Sequence, residues 1–90
     1  MNIYSKNWDE IKKEMKKNVG YTCQNEHCKI TLKGRYQKFL DTHHIDGQKN
    51  NNHENNLKVL CVKCHSEEPM HAHMRQDSRY KEFIQIFHKR

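Results

Sequence analysis

The segment "KFLDTHHIDGQKNNNHENNLKVLCVKCH", residues 38–65, decides how this chain folds. Its left end carries Phe39, Leu40 and Ile45 around two adjacent histidines, as a short strand reaching its end would. Its right end alternates Leu57, Val59 and Cys61, the pattern of a second strand. The polar, turn-rich "KNNNHENN" between them reads as a loop, and Cys61 to Glu68 read as the opening of a helix. The order is therefore strand, loop, strand, helix. Neighbouring side chains on a strand point to opposite faces, so His43 and His44 should have different tasks unless the strand end turns both inward.

Composition narrows what surrounds this segment. Ninety residues make one domain at most, 1–90. Hydrophobic residues are 33% of the chain and charged residues 31%, a lean core for a fold of this size that calls for a staple such as a metal or disulfides. The four cysteines form two short pairs, Cys23-x4-Cys28 and Cys61-x2-Cys64. Two such pairs far apart in sequence suit one tetrahedral Zn²⁺ that ties distant segments together. The alternatives are four unrelated thiols, or His27 in place of one cysteine; four thiolates are the simpler set, and they leave no open position for chemistry. No apolar run reaches the roughly 18 residues of a membrane span, and "MNIYSKNWDE" contains no hydrophobic export segment. The expected home is the cytoplasm, with no membrane partner, where paired cysteines hold metal more often than they form disulfides. Seventeen Lys and Arg against eleven Asp and Glu give a net charge of +6, which favours a polyanion such as nucleic acid.

Helices are expected on both flanks. In "SKNWDEIKKEMKKNVG", Trp8, Ile11 and Met15 have helical spacing, with Ser5 as N-cap and Gly20 as a stop, giving a helix over about 6–18. In "DSRYKEFIQIFHKR", Tyr80, Phe83, Ile84 and Phe87 share one helical face, giving a helix over about 78–89. Both read as packing elements around a core of about 21–75. Lys33, Arg35 and Lys38 of "KGRYQK" are candidate phosphate contacts, or else they solvate the outer face of a strand. Asp41 and Asp46 flank the double histidine; either could orient an imidazole, but both read first as loop carboxylates, and His53 and His88 read as solvated.

The run His43-His44-Ile45, then Asn56-Leu57, then Leu60-Cys61-x-x-Cys64-His65 resembles the signature of the HNH endonucleases, over about residues 23–65. The resemblance implies a small α+β fold, a ββα-metal core stapled by a four-cysteine zinc and flanked here by the two end helices. It implies a metal-dependent endonuclease that hydrolyses DNA phosphodiester bonds, double-stranded DNA first, leaving 5′-phosphate and 3′-hydroxyl ends. By the same resemblance His44 is the general base and His43 a ligand of a catalytic divalent cation (Mg²⁺, Mn²⁺, Ni²⁺ or Zn²⁺). Asn56 holds the long loop and the strand end, and His65 is a second ligand offered from the helix. Colicin-type members carry a further metal histidine four residues after the helical one. Here that position is Pro69, so His71 first, or His73, is the candidate third ligand, and two-ligand sites completed by water also occur.

Three functions compete on this reading. A metal-dependent nuclease accounts for the histidines and the asparagine. A non-catalytic zinc-stapled nucleic-acid-binding module predicts replacement of His44 or Asn56, and both are present. A zinc-stapled protein-interaction module leaves that pattern unexplained. No separate specificity domain is visible, so sequence preference would come from few base contacts, a homodimer or a partner protein.

Overall fold

A computed structural model describes residues 7–87, and the expected Ser5 cap and His88 lie outside them. The first helix, α1 (Trp8–Asn18), begins where the Asn7 side chain accepts a hydrogen bond from the Glu10 backbone N–H at 2.9 Å. A polar oxygen at that position satisfies one of the donors that a helix start leaves open. Asp9 and Glu10 sit in its first turn and Lys16 and Lys17 in its last, each matching the sign of the helix dipole there. The helix stops at Gly20, whose φ of +62° suits a residue without a Cβ.

The chain then closes a knuckle. Thr22 and Thr31 form an isolated antiparallel bridge, and the Cys23 N–H donates to the Ile30 carbonyl at 2.9 Å. "KGRYQK" does not form a strand. Gly34–Phe39 is a short 3-10 helix, so Lys33, Arg35 and Lys38 do not line a sheet face. Strand β1 (Leu40–His44) follows and pairs antiparallel with β2 (Leu57–Cys61), with His43 opposite Lys58 and His44 opposite Leu57. This hairpin is the only sheet among the described residues. The connection is a loop that ends in a 3-10 turn, Glu54–Asn56. The His53 ring is not simply solvated, because its Nδ1 accepts from the Asn55 N–H at 3.2 Å and caps that turn.

Helix α2 (Val62–Ser66) is shorter than the Cys61–Glu68 span suggests. It is capped by Cys61 itself, whose Sγ accepts from the Cys64 N–H at 3.5 Å. A 3-10 turn (Ala72–Gln76) leads to α3 (Ser78–Phe87). The product is a small α+β unit.

Its core lies between the knuckle, the hairpin and the last helix: Leu32, Phe39, Leu40, Val59, Leu60, Val62 and Phe83 are buried with three of the cysteines. Phe39 meets Phe83 edge-on with ring centroids 5.6 Å apart, a favoured aromatic geometry. Truncating Phe39 to alanine should cost about 3–5 kcal/mol, the usual figure for a buried aromatic. A smaller cluster anchors α1, where Ile11 packs on Leu57 with Trp8 and Met15 beside them. Both end helices therefore bury the faces their spacing indicates, and α1 thereby sets Trp8 beside the end of β1. None of the described helices is long and apolar enough to cross a membrane.

Candidate metal centre and histidine cleft

Cys23, Cys28, Cys61 and Cys64 converge, their sulfurs all within 4.8 Å of one another. Cys28 and Cys61 Sγ are 3.9 Å apart. A tetrahedral Zn–S bond of about 2.3 Å separates sulfurs by roughly 3.8 Å, so the cluster has the size to hold a structural zinc. His27 is exposed and stands outside it; its backbone N–H bonds to Asn25 Oδ1. The Asn25 amide also donates to Cys64 Sγ at 3.2 Å, a contact that favours a thiolate.

As bare thiols the group is electrostatically awkward. The hydrogen bond shared by Cys23 and Cys61 pushes the Cys23 thiol down to about 5 and drives Cys61 up. Burial, followed by repulsion from Cys23, pushes Cys64 up to about 12. Packed thiolates repel one another in a poorly hydrated site, and a bound cation removes that penalty.

The second cluster lies at the other end of the hairpin. His43, His65 and His71 bring ligand nitrogens within 4.8 Å of one another. Strand alternation puts Asp41 and His43 on one side of β1, facing His65 on α2. The Asp41 carboxylate accepts from His65 Nδ1 at 3.0 Å and from Arg79 of α3 at 2.8 Å. His71 Nδ1 lies 2.8 Å from the Pro69 carbonyl oxygen. Both acceptors lack a proton, so each ring donates through Nδ1, which leaves Nε2 as the nitrogen that could meet a cation. His43 is buried, and that burial, together with the nearby His65, lowers its pKa and favours the uncharged ring. Three converging imidazoles, two of them oriented through Nδ1, could hold a divalent transition metal.

Asp41 is thus not a loop carboxylate. It is a strand residue with 15% of its side chain exposed. Burial alone would raise its pKa, but the bonds from His65 and Arg79 outweigh that and hold it below the usual range. Asp46 is a loop residue and is held low first by the Gln48 N–H, then by Asn51 and Asn56. His73 stacks on His71 with centroids 6.2 Å apart but is not in the three-histidine group.

His44, on the other side of β1, meets different neighbours. Its ring stacks on Trp8, centroids 4.7 Å apart and planes 24° from parallel, and its Nε2 lies 2.7 Å from Asn52 Oδ1. Both histidines nonetheless line one cleft of about 520 Å³, with Trp8, Thr42, Gly47, Lys49, Asn52, His65 and His71. Asn56 stands behind it. Its Nδ2 donates to the Asn51 carbonyl and to Asp46 Oδ1, both at 2.9 Å, and its Oδ1 accepts from the Asp46 N–H at 3.0 Å. Trp8 and Asn52 had no sequence signal, since one lies in a flanking helix and the other in a polar tract.

The cations expected to meet phosphate are scattered. Arg35 bonds to the Tyr36 hydroxyl and Lys38 pairs with Glu82 at 3.0 Å; neither they nor Lys33 line the cleft. An adjoining groove of about 300 Å³ shares Trp8, Thr42 and His65 with it and presents Lys12, Lys16, Lys38 and Arg79.

Comparison with known proteins adds one relative and no family. No family model matches the chain, and no solved structure matches it. Over 68 residues it is 38% identical to the Zorya protein ZorE of Escherichia coli. That stretch covers 76% of this chain and 18% of that protein, so the chain spans less than a fifth of its relative's length.

Proposed function

We propose that this unit is a metal-dependent endonuclease of the HNH class acting on double-stranded DNA. The observation that carries the reading is the meeting of His44 with His43, His65 and His71 around one cleft. Their convergence in space, with the His65 and His71 rings oriented through Nδ1, supports a phosphodiester-hydrolysing site of this class.

In this reading His43, His65 and His71 hold a divalent cation, which when bound supplies positive charge to the scissile phosphate and its leaving oxygen. A set of imidazoles suits Ni²⁺, Zn²⁺ and similar ions better than Mg²⁺, which prefers oxygen ligands. His44 takes the proton from the attacking water, a task suited to an imidazole near neutral pH. Asn56 acts at one remove: by binding Asn51 and Asp46 it closes the loop and fixes the strand end that carries His44. Cys23, Cys28, Cys61 and Cys64 hold the structural zinc that keeps β2 and α2 in place. Lys49 at the cleft and Lys12, Lys16 and Arg79 in the groove receive the phosphate backbone, in preference to Lys33 and Arg35. The matched stretch of ZorE sits within a much longer protein, which agrees with a unit that works attached to others.

The test is cleavage of supercoiled plasmid with Mg²⁺, Mn²⁺, Ni²⁺ or Zn²⁺, comparing the wild-type chain with His44→Ala. Nicked or linear product from the wild type alone supports the reading. DNA binding without cleavage under any cation would replace it with a non-catalytic nucleic-acid-binding module.

A further inference from the structure

We infer that Asn52 and Trp8 are positioning residues that clamp the His44 ring in a single tautomer, with the proton on Nε2 and Nδ1 bare. The inference rests on the nuclease reading, because it names the nitrogen through which His44 would take the water's proton.

Asn52 Oδ1 is 2.7 Å from His44 Nε2. A carbonyl oxygen only accepts, so Nε2 must donate and the lone pair is left on Nδ1. A ring nitrogen that already carries a proton cannot take another, so the partner of one nitrogen decides which nitrogen can act as the base.

The backbone entering Asn52 is held. Asn51 is fixed at the carbonyl by Asn56 Nδ2 and at the side chain by Asp46 Oδ2, both at 2.9 Å. The polar loop is therefore a pinned scaffold at the point where it meets the ring. On the ring's face, Trp8 lies nearly parallel at 4.7 Å and blocks rotation out of the hydrogen bond. The indole cannot drift, because Ile11, one turn along α1, is 2% exposed and packs on Leu57. Leu57 is the cross-strand partner of His44. The clamp thus closes on itself through Trp8, Ile11, Leu57 and His44, and it joins a flanking helix to the hairpin.

The experiment uses the zinc-loaded full chain labelled with ¹⁵N-histidine, read by the two ring-nitrogen shifts of His44, beside plasmid cleavage. The wild type should show the Nε2–H tautomer. Asn52→Leu should mix the tautomers and lower kcat by about 10²-fold, the cost of a misplaced reacting group, with KM, zinc content and melting temperature little changed. Asn52→Asp keeps an acceptor and should retain the tautomer and most of the turnover. Trp8→Phe should behave like the wild type, while Trp8→Ala should broaden the His44 signals and lower kcat. An Nδ1–H tautomer in the wild type, which would mean the amide donates instead, overturns the inference. So does an Asn52→Leu protein with unchanged shifts. A wild type that cleaves nothing but keeps Nε2–H sinks the nuclease reading and leaves the clamp standing.

Discussion

The cysteine cluster and the histidine cleft sit at opposite ends of one hairpin and differ in what they leave open. At the cysteines, four sulfurs gather within 4.8 Å of one another, three of the residues buried, and would supply a zinc with all four ligands. At the histidines, three nitrogens gather on one side of a cleft of about 520 Å³, and the remaining side faces water. The supporting bonds differ as well. A backbone N–H of α2 and the Asn25 amide point at sulfur, whereas a carboxylate and a carbonyl accept from two of the histidine rings and Arg79 holds that carboxylate. A closed set of ligands ties segments together, and an open set leaves room for a substrate. On the proposed function, one hairpin separates holding the fold from working on a ligand.

The largest expected effect would break that division if it failed to appear. Stripping zinc with a strong chelator, or making Cys61→Ser, should unfold most of the domain, because structural zinc contributes about 10 kcal/mol or more of apparent folding free energy. Circular dichroism and elemental analysis would read it. Chelated protein that keeps its melting curve would show that the cysteines are not the staple. His44→Ala should come next, with turnover down by about 10² to 10⁴ at unchanged zinc content and melting temperature. A parallel fall in stability would make His44 a packing residue and blur the two sites into one.

Smaller effects sharpen the contrast. Asp41→Asn should weaken divalent-cation affinity at the histidines by about 10- to 100-fold, measured by calorimetry, and leave the zinc untouched. The same variant has a pH signature. The folded pKa of Asp41 is depressed, so its stabilisation is present above the ordinary carboxyl value near 3.9 and is lost as pH falls through the folded value. Wild type and Asp41→Asn should therefore differ in melting temperature at neutral pH, by about 1.5–3 kcal/mol of stability, and converge well below pH 4. A gap that persists in acid would mean the loss is one of packing. The smallest effect concerns DNA binding. Lys12→Ala or Lys16→Ala should each reduce the salt slope of affinity by about one, while Lys33→Ala and Arg35→Ala should leave it unchanged.

How much of this could be read in advance follows the range of each signal. The cysteine pairs were legible because a knuckle is a local device with its own spacing. The hairpin was legible because Leu57 and Val59 alternate, although Leu60 is buried too, where the chain passes beneath α3 and the knuckle. His43, His65 and His71 came from resemblance and from one proline, since spacing alone does not say that a residue after a helix break folds back. The partners of His44 were not legible. Trp8 lies 36 positions before it and announced only a buried helix face. Arg79, reaching Asp41 across 38 positions, gave no pattern either. The strand alternative for "KGRYQK" fails because Gly34, at φ +59°, lets the chain enter a tight turn that the side chains do not advertise.

Gln24 makes a grip on β2 with a consequence beyond the two centres. Its backbone N–H donates to the Val59 carbonyl, and its side-chain oxygen accepts the Val59 N–H, both at 2.8 Å. The N–H of Leu57 is taken by the Glu54 carbonyl. Those two residues would otherwise offer unpaired amides along the outer margin of a two-stranded sheet, a template on which another copy could add a strand. The knuckle therefore acts as a guard as well as a brace. When the cysteines lose their grip, that margin is bared together with Leu60 and Val62, and demetallated chains should associate into β-rich aggregates before they reach a fully extended state.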